Sequence, residues 1–178
     1  VVFGLRLMEK GEVFLASDSL GWVYQFWQSK EKKQIQLSEV KIGEQELGAM
    51  TQLFTEPYMV RYLLDNSIGC WWALKRLSDK ILLNAENEQD LRDQISLPGI
   101  SLKYLRFSKT ENKIWRPIGG TNIDWPENLN EFRLLDPCCG SGHFLVHALN
   151  MLVPIRMKLE GYSEKEAIDA VISQNVYG

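Results

Sequence analysis

Apolar residues recur at helical spacing along most of this chain, and a few short stretches alternate instead. The helical spacing predicts helices over 19–28, about 44–53, a stretch after Thr55, 68–83, 89–95, 142–160 and 163–174. Partial alternation over 102–107 and 113–116 predicts two strands paired across a polar turn. Residues 1–18 are predicted to be short strands or irregular chain. The pattern thus predicts a mixed protein in which helices dominate.

Residues at the predicted helix ends support these boundaries. Thr55 is a candidate N-cap, with Pro57 near the first turn of the following helix. Gly161 is placed to end the helix 142–160. Ser163 and Glu166 have the spacing of a capping box for the last helix.

A strand that leads into a turn is predicted around Leu134 and Leu135. This apolar pair is typical of a parallel strand buried on both faces. Asp136 follows at the carboxyl end of the strand, where open α/β sheets bind ligands. Pro137 cannot donate a backbone hydrogen bond, so the strand pairing ends there.

The turn and the helix after it are suited to a cofactor. Gly140 and Gly142 can adopt positive φ and let a ligand approach the backbone. The following helix directs its unpaired N–H groups and positive dipole end at the same place. One carboxylate and several amide donors fit a zwitterionic amino-acid group. A dinucleotide fingerprint fits poorly, because Leu145 stands where it needs a third glycine.

Two stretches resemble motifs of adenine-N6 DNA methyltransferases. Residues 136–145 (Asp-Pro-Cys-Cys-Gly-Ser-Gly-His-Phe-Leu) resemble motif I, which binds S-adenosylmethionine. Residues 51–60 (Thr-Gln-Leu-Phe-Thr-Glu-Pro-Tyr-Met-Val) resemble motif X, which closes over the methionine end of that cofactor. Residues 21–27 are similar to the helical lead-in of the large restriction-modification and phage-exclusion enzymes. The order, motif X before motif I, is that of amino-methyltransferases with a C-terminal target-recognition region.

The resemblance implies a set of cofactor contacts. Thr55 would contact the carboxylate of the cofactor, and Asp136 with the turn backbone would line its methionine and ribose side. Phe144 would lie near the adenine ring or form a wall of the pocket. The complete set of implied cofactor-binding residues is Thr55, Asp136, Pro137, Cys138, Cys139, Gly140, Ser141, Gly142 and Phe144. Cys138 replaces the alanine that is common in motif I, which is a small change in volume.

The resemblance also implies an α/β fold: a helical region followed by the first βα unit of a truncated Rossmann-like methyltransferase sheet. The expected divisions are a lead-in (1–45), a helical segment with motif X (46–97), a hairpin and loop (98–131), and the start of the methyltransferase core (132–178). An Asn/Asp-Pro-Pro-Tyr/Phe catalytic motif is not found in the sequence, so no catalytic residue is assigned. The chain begins at Val1 without an initiator methionine, which we interpret as a piece of a longer protein.

Composition restricts the partners. The formal net charge of −3 argues against a basic DNA clamp in these 178 residues, so double-stranded DNA is expected to contact regions beyond them. No membrane span or signal peptide is apparent, and three cysteines do not form a disulfide framework, which favours the cytoplasm. The leading hypothesis is therefore an S-adenosylmethionine-dependent DNA methyltransferase. The alternative is a non-catalytic module that docks restriction or defence-system subunits through its first, aromatic-rich helix. A nicotinamide oxidoreductase is disfavoured.

Several residues have both structural and functional interpretations. His143 and His147 have zinc-compatible spacing, but no third ligand is evident, and packing is the preferred interpretation. Cys138 and Cys139 are preferred as pocket lining over metal ligands or nucleophiles. Among the tryptophans, Trp71 and Trp72 are expected in the core, and Trp115 and Trp125 are expected to be more exposed.

Overall fold

The computed structural model describes residues 19–38, 41, 43, 46, 55–119, 124–140 and 142–178. The chain divides into two compact units, Val1–Pro57 and Tyr58–Gly178. The helices of the described chain are α1 (Ser19–Ser38), α2 (Pro57–Asp65), α3 (Ile68–Arg76), α4 (Asp79–Asn84), α5 (Glu88–Ile95), α6 (His143–Glu160) and α7 (Glu164–Gln174). The strands are β1 (Phe107–Lys109), β2 (Trp115–Pro117), β3 (Leu134–Leu135) and β4 (Val176–Tyr177). The predicted mixture of helices with a small sheet is confirmed.

In the first unit, α1 is longer than the sequence pattern predicted. It continues from Ser19 through the lysine-rich stretch to Ser38, ten residues past the predicted end at Gln28. Lysine, glutamate and glutamine have high helix propensity, so this polar stretch extends the helix without an apolar stripe. The predictions for residues 1–18 fall outside the described residues, as do nearly all positions of the predicted helix 44–53.

The helical part of the second unit has its core around two tryptophans. Trp71 and Trp72 on α3 are each only 1% exposed, as predicted. Their indole N–H groups donate to the carbonyls of Pro126 (2.8 Å) and Ile95 (2.7 Å). Burial without a lost hydrogen bond makes these large side chains strongly stabilising. Cys70 lies beside them, and burial raises the pKa of its thiol to about 11.

The single helix predicted over 68–83 is wrong, because the chain breaks between α3 and α4. Leu77 and Ser78 are extended, with ψ of 114° and 157°. Leu77 is buried there, and Ser78 takes the N-cap position of α4. The chain therefore leaves the helical conformation at a point where the apolar periodicity alone predicts one continuous helix.

The predicted hairpin exists, but its first strand lies later in the chain. β1 pairs antiparallel with β2 in the register Phe107 to Pro117. Leu102 and Leu105, placed in a strand by the sequence pattern, instead form a buried turn in which the Leu105 N–H donates to the Leu102 carbonyl at 3.0 Å. Leu102 has a positive φ of 46°, which strand geometry does not allow.

The junction between α2 and α3 holds this turn. The Asn66 side chain donates to the Tyr104 carbonyl (2.8 Å) and accepts from the Arg106 N–H (3.0 Å). The buried Asp65 carboxylate accepts from the Tyr104 N–H at 2.8 Å, and desolvation raises the pKa of this carboxyl. Two neighbouring polar side chains therefore fix a loop some forty residues away in sequence.

The second sheet is a pair of parallel strands against which α6 and α7 pack. β3 pairs with β4 in the register Leu134 to Val176 and Leu135 to Tyr177. Both helices contact β4 as well as each other. The predicted burial on both faces is wrong: Leu135 is 69% exposed, while Leu134 is half-buried against the core. Within the described chain the two helices cover one face of the pair, and the side chains alternate between faces.

Aromatic rings join the lead-in of β3 to the helical region. Phe132 lies edge-on to Trp71 with ring centroids 5.9 Å apart, and Trp125 stacks on Phe132 at 6.1 Å. Trp115 donates its indole N–H to the Ala85 carbonyl at 2.9 Å. Trp115 and Trp125 are half-buried against the core and so are more exposed than Trp71 and Trp72, as predicted. None of the helices in the described part of the chain has the length and apolar character needed to cross a bilayer.

Candidate functional site

The parallel strand pair fixes the position of the predicted cofactor turn. The Leu134 N–H donates to the Asn175 carbonyl at 2.7 Å, and the Asp136 N–H donates to the Tyr177 carbonyl at 2.8 Å. Asp136 therefore leaves β3 at its carboxyl end, beside the end of β4. This edge is where open α/β sheets bind their ligands.

The turn after Asp136 is compact and held by its own backbone. The Asp136 Oδ1 accepts from the Cys138 N–H at 3.2 Å, and the Gly142 N–H donates to the Cys139 carbonyl at 2.7 Å. Gly140 and Gly142 have positive φ of 54° and 79°, as their predicted role requires. A Cβ at either glycine would meet nothing within 4 Å, so the space around the turn is open. A ligand could approach this backbone closely.

Helix α6 begins directly at this turn. Gly142 is its N-cap, and the first turn contains no acidic residue. The N–H groups of a first helical turn have no intrahelical acceptor and carry the positive end of the helix dipole. The turn connects Asp136 to these N–H groups. It therefore joins a carboxylate that accepts hydrogen bonds to backbone groups that donate them. Such a pair can hold a group that carries both charges.

The end of β4 packs against the same turn. A Cβ built on Gly178 would lie 2.7 Å from Leu145 Cδ1 and 3.0 Å from Cys139 Cβ. Such distances are shorter than ordinary van der Waals contact, so a side chain at this position would require Leu145 and Cys139 to shift. The absence of a side chain at Gly178 thus lets the end of β4 pack closely against the turn.

The other predicted site residues differ in exposure. Pro137 and Cys138 are exposed, and Cys139 is half-buried. Phe144 is half-buried and packs against the core from the first turn of α6. Ser141 lies outside the described residues. Of the predicted site residues that the structure describes, Asp136 to Gly140 and Gly142 lie in the turn, and Phe144 lies in the first turn of the helix that follows it.

Thr55 belongs to the first unit, whereas the residues of the turn belong to the second. It is half-buried and lies two residues before α2, so Glu56 rather than Thr55 directly precedes the helix. Pro57 is the first helical residue, in the position that proline favours. The shared site of Thr55 and Asp136 stays a prediction.

The two histidines of α6 contact each other. The rings of His143 and His147 meet edge to face, with centroids 4.7 Å apart. Among the described residues, no group of three or more His, Cys, Asp and Glu side chains is arranged to hold a metal ion. The ring contact agrees with the preferred packing role.

Two buried polar residues escaped the sequence analysis. Arg156 on α6 and Asn175, immediately before β4, are both fully buried. The available signal was weak but real: Arg156 interrupts an apolar run from Val153 to Met157. A charged residue in such a position indicates a paired, buried cation.

Comparisons with known proteins agree with the motif resemblance. No protein-family model matches the chain. The chain is 29% identical over 161 residues to an adenine-specific methyltransferase, PglX, of Lacticaseibacillus casei, with 89% of the chain aligned. It is also 29% identical over 162 residues to an adenine-specific methyltransferase, BrxX, of Escherichia coli. In both cases the chain spans only 12% of the length of the relative. The resemblance to adenine-specific methyltransferases, predicted from residues 51–60 and 136–145, is therefore confirmed over most of the chain.

Proposed function

We propose that this chain provides the S-adenosylmethionine-binding start of an adenine-specific DNA methyltransferase. The supporting observation is the turn from Asp136 to Gly142, which opens α6 at the carboxyl end of a parallel strand. We extend the observed strand pair to a Rossmann-like sheet, truncated in this chain. The similarity to two named adenine-specific methyltransferases supports the same proposal. Restriction-modification or phage exclusion is the proposed setting, in the cytoplasm.

The residues present fit this cofactor. Its amino-acid end carries a carboxylate and an ammonium group, and the turn offers backbone donors together with the Asp136 carboxylate. The glycine backbone has open space around it, so a ligand of this size can reach the amides. Phe144 would wall the pocket, and Thr55 would bind the carboxylate from motif X. When bound, S-adenosylmethionine supplies an electrophilic methyl group on its sulfonium.

The role of this chain in the reaction would be to bind and orient. Its residues hold the methyl donor in one position, so that a direct displacement by the adenine N6 amine needs little further alignment. No residue described here is assigned a proton transfer. The flipped adenine and the DNA duplex are proposed to contact parts of the protein beyond this chain.

Calorimetry on the full-length protein tests the proposal. Asp136→Ala should weaken S-adenosylmethionine binding roughly ten- to a hundredfold, since a hydrogen bond to a charged group is worth about 1.5–3 kcal/mol. Asp169→Ala is the matched control, because Asp169 is an exposed carboxylate on α7. Binding that is absent in the unmodified protein, or equal in both variants, would overturn the assignment.

The surface of α1 favours a second candidate function, an assembly module. Phe26 and Trp27 are 50% and 67% exposed and adjacent on this helix. Large exposed aromatic side chains are common anchors of protein interfaces. Co-purification of partner subunits should fall when Phe26 and Trp27 are both changed to Ser, and not when the exposed Leu37 is changed to Ser. Retention of every partner by the double variant would remove this candidate.

A further inference from the structure

A buried arginine lies near the C-terminal end of α6, at the opposite end of this helix from the candidate cofactor turn. The Arg156 side chain has no exposed surface. Its Nη1 donates to Glu160 Oε2 at 2.7 Å, and its Nη2 donates to Gln174 Oε1 at 2.8 Å. Its Nε donates to Asn175 Oδ1 at 3.1 Å. The charge is balanced by one carboxylate, and the planar group joins α6 to the end of α7 and the start of β4.

Asn175 links Arg156 to the segment that precedes β3. Its Nδ2 donates to the carbonyls of Leu129 (2.7 Å) and Phe132 (2.8 Å). Its own carbonyl accepts from the Leu134 N–H at 2.7 Å. With Oδ1 bonded to Arg156, both donors of the amide and its acceptor have partners. The side chain is fully buried, so each of these bonds would be costly to lose.

The strand pair needs such support. β3 and β4 each have two residues, and Leu135 and Tyr177 on the outer face are exposed. Two-residue strands form few backbone hydrogen bonds of their own, so residues outside the strands contribute to fixing their pairing. Asn175 bonds to the β3 lead-in through both its side chain and its backbone, so it sets which residues of the two strands are opposite each other.

The register in turn determines the turn geometry. Two residues beyond Asn175, the Tyr177 carbonyl accepts from the Asp136 N–H, and one residue later Gly178 packs on Cys139. A shift of β4 would therefore move the partners of both ends of the turn. We propose that Arg156 and Asn175 are positioning residues that, through the register of β3 and β4, hold the turn after Asp136 in its ligand-binding conformation. The ligand part of this inference rests on the proposed function, whereas the positioning part does not.

Thiol labelling tests the positioning part without any cofactor. In the full-length protein carrying Cys138→Ser, a maleimide label on the peptide of Cys139 reports how well Gly178 and the turn protect that thiol. Asn175→Asp keeps the shape and the Arg156 contact but directs a carboxylate oxygen at two carbonyls, and Arg156→Met removes every bond of the guanidinium. Both should accelerate labelling of Cys139 by at least about tenfold at a temperature where each variant is folded.

Two controls separate positioning from general destabilisation. Leu91→Ala creates a cavity in α5 and should lower the melting temperature without changing the Cys139 labelling rate. Asn150→Ala, at an exposed position of α6, should change neither. Equal acceleration in Leu91→Ala, or none in the Asn175 and Arg156 variants, would overturn the proposal. If Asn175→Asp does not fold, Arg156→Lys decides: it keeps the charge near Glu160 but loses the planar fork, and an unchanged rate would overturn the proposal.

The same variants connect the positioning residues to the cofactor. Their KM for S-adenosylmethionine should rise in proportion to the Cys139 labelling rate, while kcat at saturation changes little. If the unmodified protein binds no S-adenosylmethionine, the proposed function fails and the labelling still decides the positioning part. If it binds, and fast-labelling variants bind equally well, the ligand part of the inference fails.

Discussion

The helical region (residues 58–119) and the strand-bearing region (132–178) of the second unit are built on different principles. The helical region buries Trp71 and Trp72, two of its largest side chains, almost completely. The strand-bearing region covers its sheet on one side and leaves Leu135 and Tyr177 exposed. Its geometry depends on directional hydrogen bonds around Arg156 and Asn175. Apolar burial thus stabilises one region, and a polar network positions the candidate site in the other.

Removing a buried ring from the helical region should have the largest effect on stability. Trp72→Ala should lower the free energy of unfolding by about 3–5 kcal/mol, because it leaves a cavity and orphans the Ile95 carbonyl. Urea denaturation measures this, with the exposed Trp27→Ala as the control, for which a change within about 0.5 kcal/mol is expected. A loss below about 1 kcal/mol in Trp72→Ala would show that burial is not the main stabilising term there.

A methyl group at Gly178 should have the next largest effect. Gly178→Ala forces a Cβ against Leu145 and Cys139, and overpacking of this kind costs about 1–3 kcal/mol. The free energy of unfolding and the affinity for S-adenosylmethionine should both decrease. Gly99→Ala is a poor control because of its positive φ, so Ala170→Gly on α7 serves as the comparison for a one-methyl change. Unchanged stability in Gly178→Ala would mean that the turn is not closely packed.

The buried carboxyl of the helical region should give a pH-dependent effect. The folded state raises the pKa of Asp65 above 3.8, so it holds this proton more tightly than the unfolded chain does. Its contribution to stability is therefore greatest below pH 3.8, decreases as the pH rises through the raised pKa, and stays decreased at neutral pH. The charges of Arg61 and Arg92 limit the rise.

Asp65→Asn should remove this pH dependence while keeping an oxygen that can accept from the Tyr104 N–H. Above pH 3.8, the slope of the unfolding free energy against pH should then be more positive than that of the unmodified protein. Asp169→Asn, at an exposed position, should leave the slope as it was. An unchanged slope in Asp65→Asn would show that this carboxyl titrates alike in both states.

The exposed sheet face should give the smallest effect. Leu135→Ala should change the free energy of unfolding of this chain by no more than about 0.5 kcal/mol, because the side chain already lies in water. Leu134→Ala, its neighbour on the covered face, should cost more. A large loss from Leu135→Ala would show that this side chain is covered when the stability is measured.

The sequence predicted features that depend on neighbouring residues. The capping box of Ser163 and Glu166 and the left-handed end of α6 at Gly161 are confirmed. So are the positive φ values of Gly140 and Gly142. Each follows from backbone sterics and hydrogen bonding within a few positions, which a single sequence contains.

Features that depend on distant residues were missed or wrong. The hairpin register and the turn at Leu102 are set by Asp65 and Asn66, some forty residues earlier. The exposure of Leu135 depends on what covers the sheet. Glu160 is a local partner of Arg156, four residues away, whereas Gln174 and Asn175 follow Arg156 by 18 and 19 residues, so no local pattern could identify them.

The contacts of Phe132 limit how the two regions can move. Its ring touches Trp71 of the helical region and stacks on Trp125, and it lies two residues before β3. Swinging one region against the other would break the contact between Phe132 and Trp71. We therefore expect no hinge motion at the joint of the two regions when a ligand binds.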